Sequence, residues 1–342
     1  MIDTARLEAT VGALTDPGKG ILAADESVPT ITRRLQAVGV ESTPETRRAW
    51  RGLLFGTPGI GEHLAGVILF EETLDQHADD GTPLVELLAR QGIVPGIKVD
   101  KGTELLPNAC PGEKVTRGLD GLAERLAAYR EKGARFTKWR DVYLVGPGMP
   151  SPLALSANAE VLARYAALAQ QAGFVPIVEP EVLMDGDHGI EQCAEATEAV
   201  LHAVYHALHR HRVVLELTLL KPNMVLPGKA HPAKVPPEMV AERTLRVLRR
   251  AVPAAVPGIF FLSGGQSAEE ADANLAAINR LKGNAPWTLS FSFARALQQP
   301  AMEAWRGEAS NVAEAQRIFL KRCRLTAAAR RGEYTPEMEA AA

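Results

Sequence analysis

Cysteine is scarce. Cys110, Cys193 and Cys323 are the only three in 342 residues. Their odd number and irregular spacing argue against a disulfide framework or a thiolate metal site and fit the reduced thiols of an intracellular chain. A surplus of charge of either sign is also missing: 38 Lys and Arg stand against 41 Asp and Glu, net −3. The electrostatic footprint of a nucleic-acid binder is therefore absent, and the doublets Arg33-Arg34, Arg47-Arg48, Arg249-Arg250 and Arg330-Arg331 are scattered as solvated helix faces are. No apolar run approaches the roughly 20 residues of a membrane span. The opening MIDTARLEATVGALTDPG carries Asp3, Arg6 and Glu8 and has no signal-peptide core. Walker loops, nucleophile elbows and His-Glu-x-x-His are not found. With 46% hydrophobic and 23% charged residues, the expectation is an ordinary soluble, cytoplasmic globular chain with no nucleic-acid or membrane partner.

What is present is alternation. Short apolar runs at 20–24, 65–70, 93–99, 134–140, 174–179, 212–221, 258–263 and 287–292 read as eight strands. Helical patterns separate them. Residues 119–132 put Leu119, Leu122, Leu126 and Tyr129 on one face and stop at Gly133; 158–171 and 237–250 read the same way. Ser267 and Glu270 have capping-box spacing for a helix through Ala277, and a last helix runs from about Val312 to Arg330. Strand–helix alternation implies a parallel sheet with right-handed crossovers, and eight units close into a (β/α)8 barrel with N- and C-terminal helical extensions. The competing doubly wound sheet would carry a Gly-rich dinucleotide turn after its first strand, where GILAADES stands instead. No low-complexity linker divides residues 1–342, which read as one domain.

Charged residues gather at the C-terminal ends of these strands, the end where barrels place their chemistry. They are Asp25, Glu26 and Ser27 after the first strand, Lys98 after the third, Lys138 and Arg140 in the fourth, and Glu179 and Glu181 after the fifth. Lys221 closes the sixth, Ser263 follows the seventh, and Ser292 and Arg295 end the eighth. Lys138 and Arg140 share a strand parity, as do Glu179 and Glu181, so each pair projects to one side. Lys98, Lys138, Arg140, Lys221 and Arg295 against Asp25, Glu179 and Glu181 leave an excess of two positive charges, which suits a multiply anionic ligand such as a sugar bisphosphate. Ser263-Gly264-Gly265 lies where barrel loops cradle phosphate.

Lys221 and Glu179 each precede a proline, which holds them extended at the barrel mouth. A lysine is nucleophilic only when neutral, and burial with a cationic neighbour, here Lys138, lowers its pKa. The alternative, that Lys221 only balances the glutamates, has equal standing on physical grounds. His202 and His206 have metal-like spacing, but His209 and His211 beside them mark a polar outer face.

GKGILAADES (18–27), GVILFEETL (66–74), GIKVDKG (96–102), KWR (138–140), VPIVEPE (175–181), TLLKPNM (218–224), FLSGGQS (261–267) and FSFARALQ (291–298) closely resemble class I fructose-bisphosphate aldolase, in order and over nearly the whole chain. The resemblance implies a Schiff-base lyase, usually homotetrameric, that needs no metal or other cofactor. It would cleave fructose 1,6-bisphosphate reversibly to dihydroxyacetone phosphate and glyceraldehyde 3-phosphate. It makes Lys221 the Schiff-base lysine and Glu179 the acid/base at the carbinolamine hydroxyl, with Glu181 and Lys138 as electrostatic partners. Asp25 would take the hydroxyl proton as the carbon–carbon bond breaks. Leu262, Ser263, Gly264, Ser292 and Arg295 would hold the ketone-side phosphate; Ser27, Arg34, Lys98, Arg47 and Arg140 the other phosphate and the sugar hydroxyls.

Two departures bear on this. Ala294 stands where the family has glycine before the phosphate-binding arginine, and Val28-Pro29-Thr30 replaces a smaller turn beside Ser27, so a narrower site with altered preference for fructose 1-phosphate or sedoheptulose 1,7-bisphosphate is one expectation. The animal enzymes also end in a mobile tail with a terminal tyrosine that helps exchange the enamine proton. Here Glu339-Ala340-Ala341-Ala342 follows Tyr334, so a water, Glu179 or Tyr334 is expected to move that proton. Two further readings are metal-dependent aldol cleavage and a non-catalytic scaffold barrel. The intact set Asp25, Lys138, Glu179 and Lys221 argues against the scaffold.

Overall fold

The apolar runs become strands because both of their faces are covered, one by the barrel interior and one by a helix. In a computed structural model describing residues 2–341, the strands in chain order are β1 (Gly20–Ala24), β2 (Leu64–Leu69), β3 (Val94–Lys98), β4 (Thr103–Leu105), β5 (Lys114–Thr116), β6 (Phe136–Tyr143), β7 (Val175–Val182), β8 (Leu219–Leu220), β9 (Gly258–Phe261) and β10 (Thr288–Phe293). Eight of them close into a barrel in which β1 pairs with both β2 and β10, and every pairing around the ring is parallel. β4 and β5 form a separate antiparallel pair. With helices filling the crossovers, this is the expected (β/α)8 barrel.

The expected helices form with shifted ends. The stretch 119–132 shortens to Leu122–Glu131, and 158–171 extends back to become Pro152–Gln171, whose Ser151 hydroxyl accepts from the Ala154 amide. Ser267 and Glu270 close a reciprocal capping box, but the helix they start runs to Leu281. Pro237–Ala251 and Val312–Arg330 form where expected. The run 212–221 is not one strand. Residues 215–217 turn as a 3-10 helix and only Leu219–Leu220 enter the barrel. Gln170 explains this: its amide accepts from the Val214 amide and donates to the carbonyls of Val214 and Leu217, replacing a sheet ladder.

Inward residues fill the lower barrel with Ile21, Ile68, Phe136, Ile177, Leu219 and Phe260, all at or near full burial. Gly96 is there for the Phe136 ring: a Cβ on Gly96 would lie 2.3 Å from it. Helix Thr4–Leu14 lays Leu7, Val11 and Leu14 against this same cluster and seals the N-terminal end of the barrel. The apolar interior thus stops below the mouth, and polar inward residues begin above it.

The outward face of β6 holds an acid with no part in the mouth. Asp141 is fully buried; its Oδ1 accepts from Trp139 Nε1 at 3.0 Å and its Oδ2 has no partner. Burial raises its pKa from 3.8 to about 8, against the downward pull of the Trp139 donor. The folded chain therefore binds this proton more tightly than the unfolded chain, and stability falls as pH rises from about 4 to about 8. D141N removes the proton and is expected to melt about 3–5 °C above the parent at pH 8.5, with the gap narrowing toward pH 5. Parallel melting curves at both pH values, followed by circular dichroism, would count against this reading.

Candidate active site

Strand parity builds the site. On β6, Lys138 and Arg140 continue the inward row that Phe136 begins; on β7, Glu179 and Glu181 continue Val175 and Ile177. Register fixes neighbours: Lys98 lies opposite Lys138, and Arg140 opposite Glu179. Lys221 follows β8, with its amide donating to Val178 O at 2.8 Å, so the lysine sits beside Glu179 at the same height in the barrel.

The three central groups are packed out of water. Lys138, Glu179 and Lys221 are each 3% exposed. Lys221 Nζ lies 3.1 Å from Glu179 Oε1, and Lys138 Nζ lies 3.0 Å from Glu179 Oε2 and 2.7 Å from Asp25 Oδ2. Glu179 is thus shared between two lysines, and Lys138 between two carboxylates. Lys138 does not abut Lys221 directly; the Glu179 carboxylate stands between them. Burial alone would lower the Lys138 pKa, but Asp25 and Glu179 outweigh it and hold the ammonium above its ordinary value. Burial would raise Asp25, yet Lys138 and Lys221 pull it down to about 2, so it is a carboxylate throughout the working range. Glu181 binds Arg140 Nε at 2.5 Å, which raises the guanidinium pKa against the effect of burial.

These groups floor a cavity of about 710 Å³ at the mouth. Asp25, Ser27, Arg34, Lys98, Lys138, Arg140, Glu179, Glu181, Lys221, Leu262, Ser263, Gly264, Ser292 and Arg295 all line it. Arg47 does not. It is buried in helix Pro44–Phe55, where Glu72 holds its guanidinium at 2.6 Å and also takes Arg51, so the expected contact with substrate is replaced by a structural ion pair. Tyr334 is likewise absent from the walls. It is buried and its hydroxyl donates to Glu339, so it is not positioned to move a proton at Lys221.

The walls add charged residues beyond the expected site set, Glu26 among them being one the sequence places after the first strand. Asp100 binds Lys98 and lies two residues beyond it, a parity that could have revealed it. Glu26 holds Arg34 and accepts from Gln298; Glu71 pairs with Lys101; Lys229 and Asp185 face each other at 3.7 Å. The cavity therefore carries eight cations and seven carboxylates, and the expected excess of two narrows to one. Seven of the cations have a carboxylate partner, whereas Arg295 has none among the described residues. The surplus charge is localised there.

Donors converge on the same place. The Gly264 and Gly265 amides donate to no backbone carbonyl among the described residues, and both glycines are left-handed, φ +46° and +85°, a turn that aims amides outward. The Ser292 hydroxyl is buried without a partner. Leu262 is tied to the residue after Lys221, its amide donating to Pro222 O at 3.0 Å. Ala294 has φ −106° and needs no glycine there. Val28-Pro29-Thr30 form the first turn of helix Val28–Ala37, with Pro29 and Thr30 lining the cavity.

The family profile "Glycolytic: Fructose-bisphosphate aldolase class-I" matches residues 6–342. A fructose-bisphosphate aldolase 6, cytosolic, of Arabidopsis thaliana is 56% identical over 328 residues, 96% of this chain and 91% of its own length. A cytoplasmic isozyme from Spinacia oleracea is 55% identical with the same coverage. Among solved structures, the fructose-bisphosphate aldolase of Plasmodium falciparum, in complex with TRAP and a small-molecule inhibitor, superposes with a TM-score of 0.95 at 49% identity, covering 97% of this chain and 95% of that one.

Proposed function

Because the chain belongs to the class I fructose-bisphosphate aldolase family, and is thus a carbon–carbon lyase that reversibly cleaves fructose 1,6-bisphosphate, we propose how its own residues divide the work. The Lys221 amine attacks the C2 carbonyl of the ketose; its nitrogen passes a proton to Glu179, the carboxylate 3.1 Å away, while the new C2 oxyanion takes a proton from solvent to give the carbinolamine. Glu179 returns a proton to the carbinolamine hydroxyl, which leaves as water, and an iminium remains on Lys221. Asp25 takes the proton of the C4 hydroxyl; the C3–C4 bond breaks, glyceraldehyde 3-phosphate forms, and the electron pair is held as the enamine. Protonation at C3 and hydrolysis of the iminium release dihydroxyacetone phosphate and restore the lysine.

Lys138 keeps Asp25 ionised and holds Glu179 in place, and Glu181 orients Arg140. Ser263, Gly264, Ser292 and Arg295, with Leu262 behind them, bind the ketone-side phosphate. Ser27, Arg34, Lys98 and Arg140 serve the other end. With Tyr334 turned away, Glu179 or a water carries the enamine proton. We read residues 1–342 as one barrel unit, cytosolic as the relatives' names have it, and homotetrameric by family.

The observation that carries this reading is Glu179 bridging two buried lysines at 3.0 and 3.1 Å. Borohydride reduction in the presence of dihydroxyacetone phosphate, followed by intact mass and peptide mapping, tests it: one adduct, on Lys221, is expected. Folded protein that gives no adduct would remove the lysine mechanism.

A further inference from the structure

We propose that Lys229 is a second cation for the ketone-side phosphate, closing on it from across the Gly264-Gly265 turn opposite Arg295. The proposal rests on the reading above that this turn receives that phosphate.

Backbone contacts put Lys229 in place. The loop after Lys221 is sewn to the loop after β7 by three hydrogen bonds: Gly228 N to His188 O at 2.9 Å, Lys229 N to Met184 O at 2.7 Å, and Ala230 N to Gly186 O at 2.9 Å. The side chain lines the cavity and reaches over the bare Cα of Gly265. A Cβ there would lie 2.6 Å from Lys229 Cε, 3.1 Å from its Nζ and 3.6 Å from Arg295 Nη2. Two cations therefore lie within 4 Å of a single point on the Gly264-Gly265 turn, close enough to share one phosphate group.

The charges match. A phosphate monoester is close to a dianion at neutral pH, and Arg295 alone would leave one negative charge unmet. Lys229 is available to meet it, because its partner is weak. Asp185 stands 3.7 Å away, beyond hydrogen-bond reach, and the two side chains are 66% and 52% exposed. A desolvated phosphate bound by charge-assisted donors is the stronger partner, so binding exchanges Asp185 for phosphate at little cost. The other cavity cations, apart from Arg295, are already held by nearer carboxylates.

Borohydride trapping on Lys221 isolates the phosphate contribution when dihydroxyacetone phosphate is compared with unphosphorylated dihydroxyacetone. In K229M the half-saturating concentration of the phosphate ester should rise about tenfold, in K229R it should stay within twofold of the parent, and dihydroxyacetone should trap equally in all three proteins. A K229M value within twofold of the parent for the phosphate ester would overturn the assignment. So would an equal shift for both ketones, which marks loop damage and not lost phosphate recognition. A parent enzyme that traps neither ketone on Lys221 refutes the Schiff-base reading instead, and the two failures are thereby told apart.

Discussion

K221M is expected to lower turnover of fructose 1,6-bisphosphate on the order of 10⁵-fold or more, the scale seen when a covalent nucleophile is deleted, while the barrel stays folded. Methionine approximates the lysine stem in length and fills the same buried space. It leaves Glu179 with Lys138 as its remaining partner at 3.0 Å, so no uncompensated carboxylate is stranded in the interior, the circumstance that makes breaking a buried ion pair expensive. Circular dichroism should therefore change little while borohydride trapping disappears. K138M separates nucleophile from electrostatic support: it should also be slow, yet its residual adduct should still map to Lys221. An adduct formed by K221M on another lysine, or turnover within a hundredfold of the parent, would refute the assignment.

The second large effect falls on Glu179. E179Q keeps the shape of the side chain but can neither accept a proton from Lys221 nor return one to the departing hydroxyl. A loss of roughly 10³-fold in kcat is expected, within the range for general acid–base catalysis, with the rate of adduct formation falling in parallel because both pass through the same carbinolamine. Retained trapping with a slow turnover would move the role of Glu179 to a step after the iminium. E181Q makes a useful contrast. Its partner Arg140 has a 39% exposed side chain, so solvent screens what is lost and the effect should be smaller than for Glu179. If E181Q were as damaging as E179Q, the division of roles between the two glutamates would be wrong.

Much of this was legible in the residues because barrel strands make it so. Period-two alternation predicts that Lys138 with Arg140, and Glu179 with Glu181, point together, and the structure has them on one wall. What was illegible depended on long-range contacts. Nothing in the run 212–221 announces that Gln170, over forty residues earlier, clamps Val214 and cuts the strand to two residues. The β4–β5 pair has three residues a side, too few for a periodic signal. Arg47 resembled a ligand residue by position, and only the fold brings Glu72 to it. Lys229 lies in a Pro-Gly loop without periodicity, and its place at the mouth is set by its backbone bond to Met184.

The packing of Leu7, Val11 and Leu14 against the lower barrel cluster bears on the timing of the reaction. That end is closed by apolar side chains, and the cavity at the C-terminal ends of the strands is an opening that Lys221 lines. On the mechanism proposed above, substrate and water share that opening, so the aldehyde fragment is expected to leave before the ketone half.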